Sequence, residues 1–172
     1  MKAGSTSDQL ICLTDLFATT GEITGSELPA GSCEDSASFL PYLLGKKAEA
    51  IRAGVIHHSI SGHFAYRHGK WKLALARASG GWSSPKENNA GKDAPKAQLY
   101  DMAADPGETK NLYLEEPEVA QRLLAQLEKE VTSGRSTPGP DSKNDVGNIV
   151  LWKNEQATGK PKKKRSKRPA RN

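Results

Sequence analysis

The stretch "AGVIHHSISGHFAYRHGKWKLAL", residues 53–75, decides the fold. It is rich in β-branched and aromatic residues and is punctuated twice, at Ser61-Gly62 and at His68-Gly69. Both pairs suit two-residue hairpin turns. Phe64 and Tyr66 fall on one strand face, and Trp71, Leu73 and Leu75 on another, with Lys70, Lys72 and Ala74 between them. That alternation is the half-buried pattern of an antiparallel sheet. It makes Trp71 an expected core anchor. Residues 78–96, rich in Gly, Ser, Asn and Lys, read as a long loop, and Gln98–Asp101 as a fourth, short strand.

Downstream, "LYDMAADPGETKNL" (99–112) ends that strand abruptly. Leu99 and Met102 anchor its end. Asp105-Pro106-Gly107 is a turn in which Pro presets φ and Gly tolerates a positive one. Asn111 then offers a side-chain-to-backbone bond and Leu112 a buried side chain to bring the chain back. Residues 115–135 carry the best helical pattern: Pro117 and Glu118 suit the first turn, and Ala120, Leu123, Leu124, Leu127 and Val131 form one stripe. Gly134 marks its end. Upstream, residues 10–25 read as a helix with Leu13, Leu16 and Phe17 at i, i+3, i+4, Ile23 near the same stripe and Gly25 as the stop. SASFLPYLLG (36–45) is a short apolar segment in which Pro41 permits only a short helix or turn.

Composition bounds the function. The chain has 172 residues, a 35% hydrophobic share and a formal net charge of +5. Eight of its 25 Lys and Arg lie from Lys160 onward, where no acid occurs; the rest holds seventeen bases against 20 acids. The body is mildly acidic, which argues against a nucleic-acid surface. Cys12 and Cys33 make neither a disulfide framework nor a zinc set and read as small buried or half-buried residues. No apolar run is long enough for a membrane span, and MKAGSTSDQL has no hydrophobic signal region, so the chain as written reads as cytoplasmic.

The order of these pieces resembles the C-terminal subdomain of the sulfatases (arylsulfatase family). "EDSASFLPYLLG" resembles the family's Asp-x-x-Ser-(Phe/Leu)-Leu-Pro-x-Leu-x-Gly stretch. "HHSISGHFAYRHGKWKL" is similar to its hairpin, through Arg67, Gly69, Lys70, Trp71 and Lys72. "LYDMAADPGETKNL" matches its last signature. "KAGSTSDQLICLTDLFATTGEITG" resembles the end of the large, alkaline-phosphatase-like α/β domain.

The resemblance implies an α+β fold: a small antiparallel four-stranded sheet with one packed C-terminal helix over 117–133, preceded by a helix left over from that α/β domain. Residues 1–50 would be the remnant, 51–135 the subdomain and 136–172 a disordered basic tail. It also implies a chemistry that this chain does not carry. The family uses a formylglycine made in a Cys/Ser-x-Pro-x-Arg motif, and a calcium ion. Cys12 is followed by Leu-Thr and Cys33 by Glu-Asp; Ser83-Ser84-Pro85-Lys86-Glu87 ends in Glu; no adjacent Asp pair exists. The expectation is a sulfuric ester hydrolase fragment without catalytic residues, metal ligands or cofactor of its own, whose partners are the missing N-terminal domain and a sulfated substrate. Family members of this type are usually secreted or periplasmic.

Three residues are candidates for substrate binding. His57 and His58 are consecutive, so on a strand they face opposite sides, and one of them would line a cleft between domains. The other reading is one solvent-facing and one hydrogen-bonded ring. Trp82, in the long loop, either stacks on a sugar or aryl ring or tucks against the sheet. His63 and His68 sit at turns and read as surface residues. In the tail, Lys162, Lys163, Lys164, Arg165, Lys167 and Arg168 suggest a weak polyanion contact, and with it an alternative function: a small non-catalytic polyanion-binding module.

Overall fold

The structure is a computed structural model, and it describes residues 3–29, 31–46 and 49–153. Along the chain run α1 (Asp15–Thr24), α2 (Leu40–Leu43), β1 (Gly54–His58), β2 (Phe64–His68), β3 (Trp71–Ala74), a single 3₁₀ turn (Glu87–Asn89), β4 (Gln98–Asp101) and α3 (Pro117–Ser133). The four strands form one antiparallel meander in the order β1-β2-β3-β4. The antiparallel sheet is the one expected from the alternation of residues 53–75, and the small α+β architecture is the one the resemblance implied.

The register gives the sheet a dry face. Ile56, Tyr66, Leu73 and Leu99 stand opposite one another across the four strands. Phe64, Leu75 and Ala97 extend that face, and α3 lies over it with Ala120, Leu123 and Leu127 buried. Each fully buried aliphatic side chain here contributes about 1.5–3 kcal/mol. Trp71 packs on the edge of this core rather than inside it, half-buried under Lys70, whose Nζ lies 4.7 Å from the ring centre. The β2–β3 turn centres on Gly69-Lys70, one residue later than the sequence suggested, because His68 pairs with Trp71. Gly69 supplies the positive φ, +54°. The β1–β2 loop is also wider than two residues: it closes through Ser59 N–H to His63 O and Gly62 N–H to Ser59 O, both 2.9 Å.

The return to the core after β4 runs through Asn111. Its Oδ1 accepts from the N–H groups of Leu99 and Tyr113, both at 3.0 Å, and its Nδ2 donates to Ala97 O. Pro117 opens α3 and Gly134, φ +70°, ends it. A Cβ at position 134 would collide with the Ser142 carbonyl, so both φ and space require glycine there.

The expectation of a structureless chain from Ser136 onward fails over 136–153. Ser136 donates to Asp35 Oδ1 from both N (2.9 Å) and Oγ (2.7 Å), and Thr137 Oγ1 donates to Glu34 O. The Arg135 guanidinium donates to the carbonyls of Thr137, Pro138 and Pro140, satisfying a Pro/Gly-rich loop that has no ladder of its own. Ile149, Leu151 and Trp152 pack against the core, with Lys96 Nζ 4.5 Å from the Trp152 ring centre. The tail cations Lys162, Lys163, Lys164, Arg165, Lys167 and Arg168 lie outside the described residues.

Of the helix expected at 10–25, Asp15–Thr24 forms as α1 and stops at Gly25, φ +65°; Leu13 lies before its N-terminus. Its orientation is the reverse of a normal amphipathic helix. Leu13, Leu16, Phe17 and Ile23 are exposed, Leu13 by 85%, while Asp15 and Thr19 are buried. Asp15 is fully engaged: Oδ1 pairs with Arg52 Nη2 at 2.9 Å and accepts from the Ala37 N–H, and Oδ2 accepts from the Cys12 N–H. Both side chains of that ion pair are almost completely buried.

Candidate functional site

The face of the sheet away from α3 is polar. Strand alternation and register place His57, Lys72, Gln98 and Tyr100 on it. Lys72 and Glu108 come from the two sequence motifs read above, and they meet in an ion pair of 2.5 Å. The Asp105 turn makes this possible. Asp105 Oδ2 accepts from the N–H groups of Thr109 (2.7 Å) and Lys110 (2.9 Å), and Oδ1 accepts from Thr109 Oγ1. Those bonds, the Lys110 N–H foremost, hold the Asp105 carboxyl below the usual carboxylate range. Glu108 takes a positive φ, +55°, inside this turn and reaches back over the sheet.

A cavity of about 230 Å³ opens on this face, lined in part by His57, His63, Lys72, Gln98, Tyr100 and Glu108. Burial lowers the His57 pKa below its ordinary 6.5; Lys72 and His58 add to this and Glu108 opposes it. The ring is therefore neutral at pH 7 and offers one donor and one acceptor. Tyr100 donates to Gln98 Oε1 at 2.6 Å, and burial, with Glu108 and Asp105 nearby, raises its phenol pKa. His58 points the other way, as its place next to His57 requires, and its ring packs edge-on against Phe64 with centroids 4.1 Å apart. Its pKa is lowered by burial and by Lys153.

A second, larger space of about 780 Å³ runs beside β1, the strand that ends the sheet, and both His57 and His58 reach it. Its other walls include Ile11 and Leu13 from the N-terminal segment, and Arg52 and Glu130. Glu130 Oε1 accepts from Tyr66 OH at 2.5 Å. Burial raises the Glu130 pKa against the opposing effects of that bond and of Arg52, and Tyr66 is raised as well, by burial first and by Glu130 second.

The structure thus brings His57 and His58 to shared spaces through opposite faces and leaves Trp82 apart. Trp82 is 80% exposed on the 78–96 loop, so it is not tucked on the sheet. His63 departs from the surface position expected of a turn residue: it is only 7% exposed, with Nδ1 3.2 Å from Leu75 O. The wider β1–β2 loop folds it inward, and the sequence carried no sign of that. Lys72, Tyr100 and Glu108 were missed as site residues. Their cue was the pairing of two motifs whose charges are opposite.

Chemically, this arrangement can hydrogen-bond and orient a polar ligand. Among the described residues no group of three or more His, Cys, Asp or Glu side chains is placed to hold a metal ion. Also among the described residues, no helix is long and apolar enough to cross a membrane.

No protein-family profile matches the chain. It is 31% identical over 117 residues to the N-acetylgalactosamine-6-O-sulfatase of Bacteroides thetaiotaomicron, a match over 66% of this chain and 22% of that protein. A 6S-sulfatase structure from a glycosaminoglycan-metabolism locus of Bacteroides thetaiotaomicron superposes with a TM-score of 0.55 and 30% identity, over 69% of this chain and 24% of that one. A structure in complex with its substrate D-glucosamine-2-N,6-O-disulfate gives a TM-score of 0.55 and 25% identity, over 84% and 28%. The chain is thus similar in sequence and fold to part of these sulfatases, and it spans about a quarter of the length of the relatives it matches.

Proposed function

We propose that the chain is the C-terminal portion of a sulfatase acting on sulfated sugars, and that it cleaves no sulfate ester by itself. One observation carries this reading: α1 turns its apolar stripe to solvent and its polar side to the interior. Exposed apolar stripes of this kind mark a contact surface. A chain that matches only a quarter of its relatives has such a contact to make with the remainder. In this reading α1 belongs to an alkaline-phosphatase-like α/β layer, and the rest of the sulfatase supplies the formylglycine nucleophile and the calcium.

The portion described here then contributes the edge of a substrate cleft. His57, neutral and flanked by Lys72, hydrogen-bonds a sulfo or hydroxyl oxygen, and His58 serves the groove beside β1. Such an acid or base adds only about 10²–10⁴-fold to a rate, against the roughly 8–23 kcal/mol of barrier lowering that enzymes supply. The alternative, a polyanion-binding module, has the cations Lys162 to Arg168 as its support and requires binding that falls steeply with salt.

The test is a fusion. The chain is joined behind the Bacteroides N-acetylgalactosamine-6-O-sulfatase from which the matched part has been removed, and sulfate release is measured with and without calcium. The fusion is expected to be active and the isolated chain inactive. Turnover by the isolated chain overturns this reading.

A further inference from the structure

The 78–96 loop is long, yet it is built to hold one shape. The Glu87 carboxylate accepts from the backbone N–H groups of Arg77, Ala78 and Gly80, all at 2.9 Å. The Arg77 guanidinium donates to the carbonyls of Gly91 and Ala94 at the far end of the loop. Ser79 Oγ donates to Ser83 O at 2.7 Å, and Lys86 Nζ donates to the carbonyls of Gly81 and Trp82. Charged groups bind backbone on both sides of Trp82, and charge-assisted bonds are about twice as strong as neutral ones.

On this fixed support Trp82 stands out, 80% exposed. Ile60, 64% exposed, neighbours the residue before it: a Cβ added at Gly81 would meet Ile60 Cγ2 in ordinary contact. The rim of the polar cavity is reached by Ser59, one residue before Ile60, and by Gly80, two residues before Trp82. The loop backbone that carries the indole is already ordered by these bonds, so binding does not have to meet that part of the cost. Beside a cavity lined by hydroxyl, imidazole and amide groups and by the Lys72–Glu108 ion pair, the indole suits a ligand with one flat C–H face and a polar periphery. A pyranose ring has both.

We propose that Trp82, flanked by Ile60, is a stacking platform for a pyranose ring of an extended sulfated saccharide, and that the ring's polar substituents face the cavity of His57, Lys72 and Gln98. This rests on the sulfatase reading for the identity of the saccharide, while the platform itself stands on the loop geometry. The site recognises the sugar face first, so an unsulfated saccharide binds as well, though more weakly.

The experiment uses the full chain, ¹⁵N-labelled at tryptophan, titrated at raised salt with a chondroitin 6-sulfate tetrasaccharide and with its desulfated counterpart. The indole N–H signal of Trp82 is expected to shift saturably with both, while those of Trp71 and Trp152 stay in place. Trp82→Ala should weaken binding at least about tenfold, in line with the size of aromatic contacts, and Trp82→Phe should keep most of it. A silent Trp82 signal, or a Trp82→Ala chain that binds as well as wild type, overturns the proposal. The fusion separates this from the broader reading. An active fusion whose KM for the tetrasaccharide is unchanged by Trp82→Ala removes the platform and leaves the sulfatase reading standing. An inactive fusion, with Trp82-dependent binding still present in the isolated chain, does the reverse.

Discussion

Helices α1 and α3 treat their apolar faces in opposite ways. In α3 the stripe Ala120, Leu123, Leu127 is buried against the sheet, and solvent sees the charged side. In α1 the stripe Leu16, Phe17, Ile23 faces solvent, as does Leu13 just before the helix, and a buried carboxylate, Asp15, ties the helix down through Arg52. Helix α3 completes a core. Helix α1 is fixed by polar bonds and keeps its apolar side free for something else. The stability of the isolated chain should therefore depend on the polar side of α1 and the apolar side of α3, with the apolar side of α1 nearly irrelevant to it.

The largest loss is expected from breaking the tie of α1. Asp15→Ala leaves the Arg52 guanidinium buried without its counter-charge and should cost about 3–5 kcal/mol in chemical denaturation. A mild effect would mean that α1 is held by something other than this pair. Next comes α3: Leu127→Ala should cost about 2–5 kcal/mol, whereas Leu16→Ala and Phe17→Ala should each stay within about 0.5 kcal/mol, as surface changes do. Similar costs for the two helices would remove the contrast. Cutting the chain after Gly147 should lower stability by about 2 kcal/mol or more, because Ile149, Leu151 and Trp152 leave half-buried positions on the core. The smallest effect concerns pH. His57 should titrate below 6.5; Lys72→Met should move it up, and Glu108→Gln further down, as followed by NMR. A lowered pKa means that the unfolded chain takes the proton more readily. His57 therefore costs stability as pH falls through 6.5, and His57→Gln should flatten that part of the pH curve.

The meander and α3 were legible because period-2 alternation and an i, i+3, i+4 stripe are local signals that the core enforces. The closing turn was legible for the same reason: Asp105, Pro106 and Asn111 act on backbone within a few residues. What was not legible depends on long-range pairing. Nothing local ties Asp15 to Arg52, Glu34 and Asp35 to Ser136 and Thr137, or Lys72 to Glu108. Residues 136–153 read as disordered because their composition is that of a linker, and one arginine with two capping residues supplies what a ladder would otherwise give. His63 was misplaced because a five-residue connection, not a two-residue turn, joins β1 to β2. Of the candidate site residues, His57 and His58 diverge as strand geometry requires, and Trp82 had to be seen before its two readings could be told apart.

The claim at the centre is that the outward stripe of α1 is a contact face for the rest of a sulfatase. The most direct measurement is the double substitution Leu16→Asp, Phe17→Asp, made both in the isolated chain and in the fusion with the Bacteroides sulfatase body. The account predicts an isolated chain with an unchanged melting temperature and a fusion that loses its sulfate-releasing activity along with its solubility. A fusion that stays soluble and fully active with two aspartates on that stripe would contradict it.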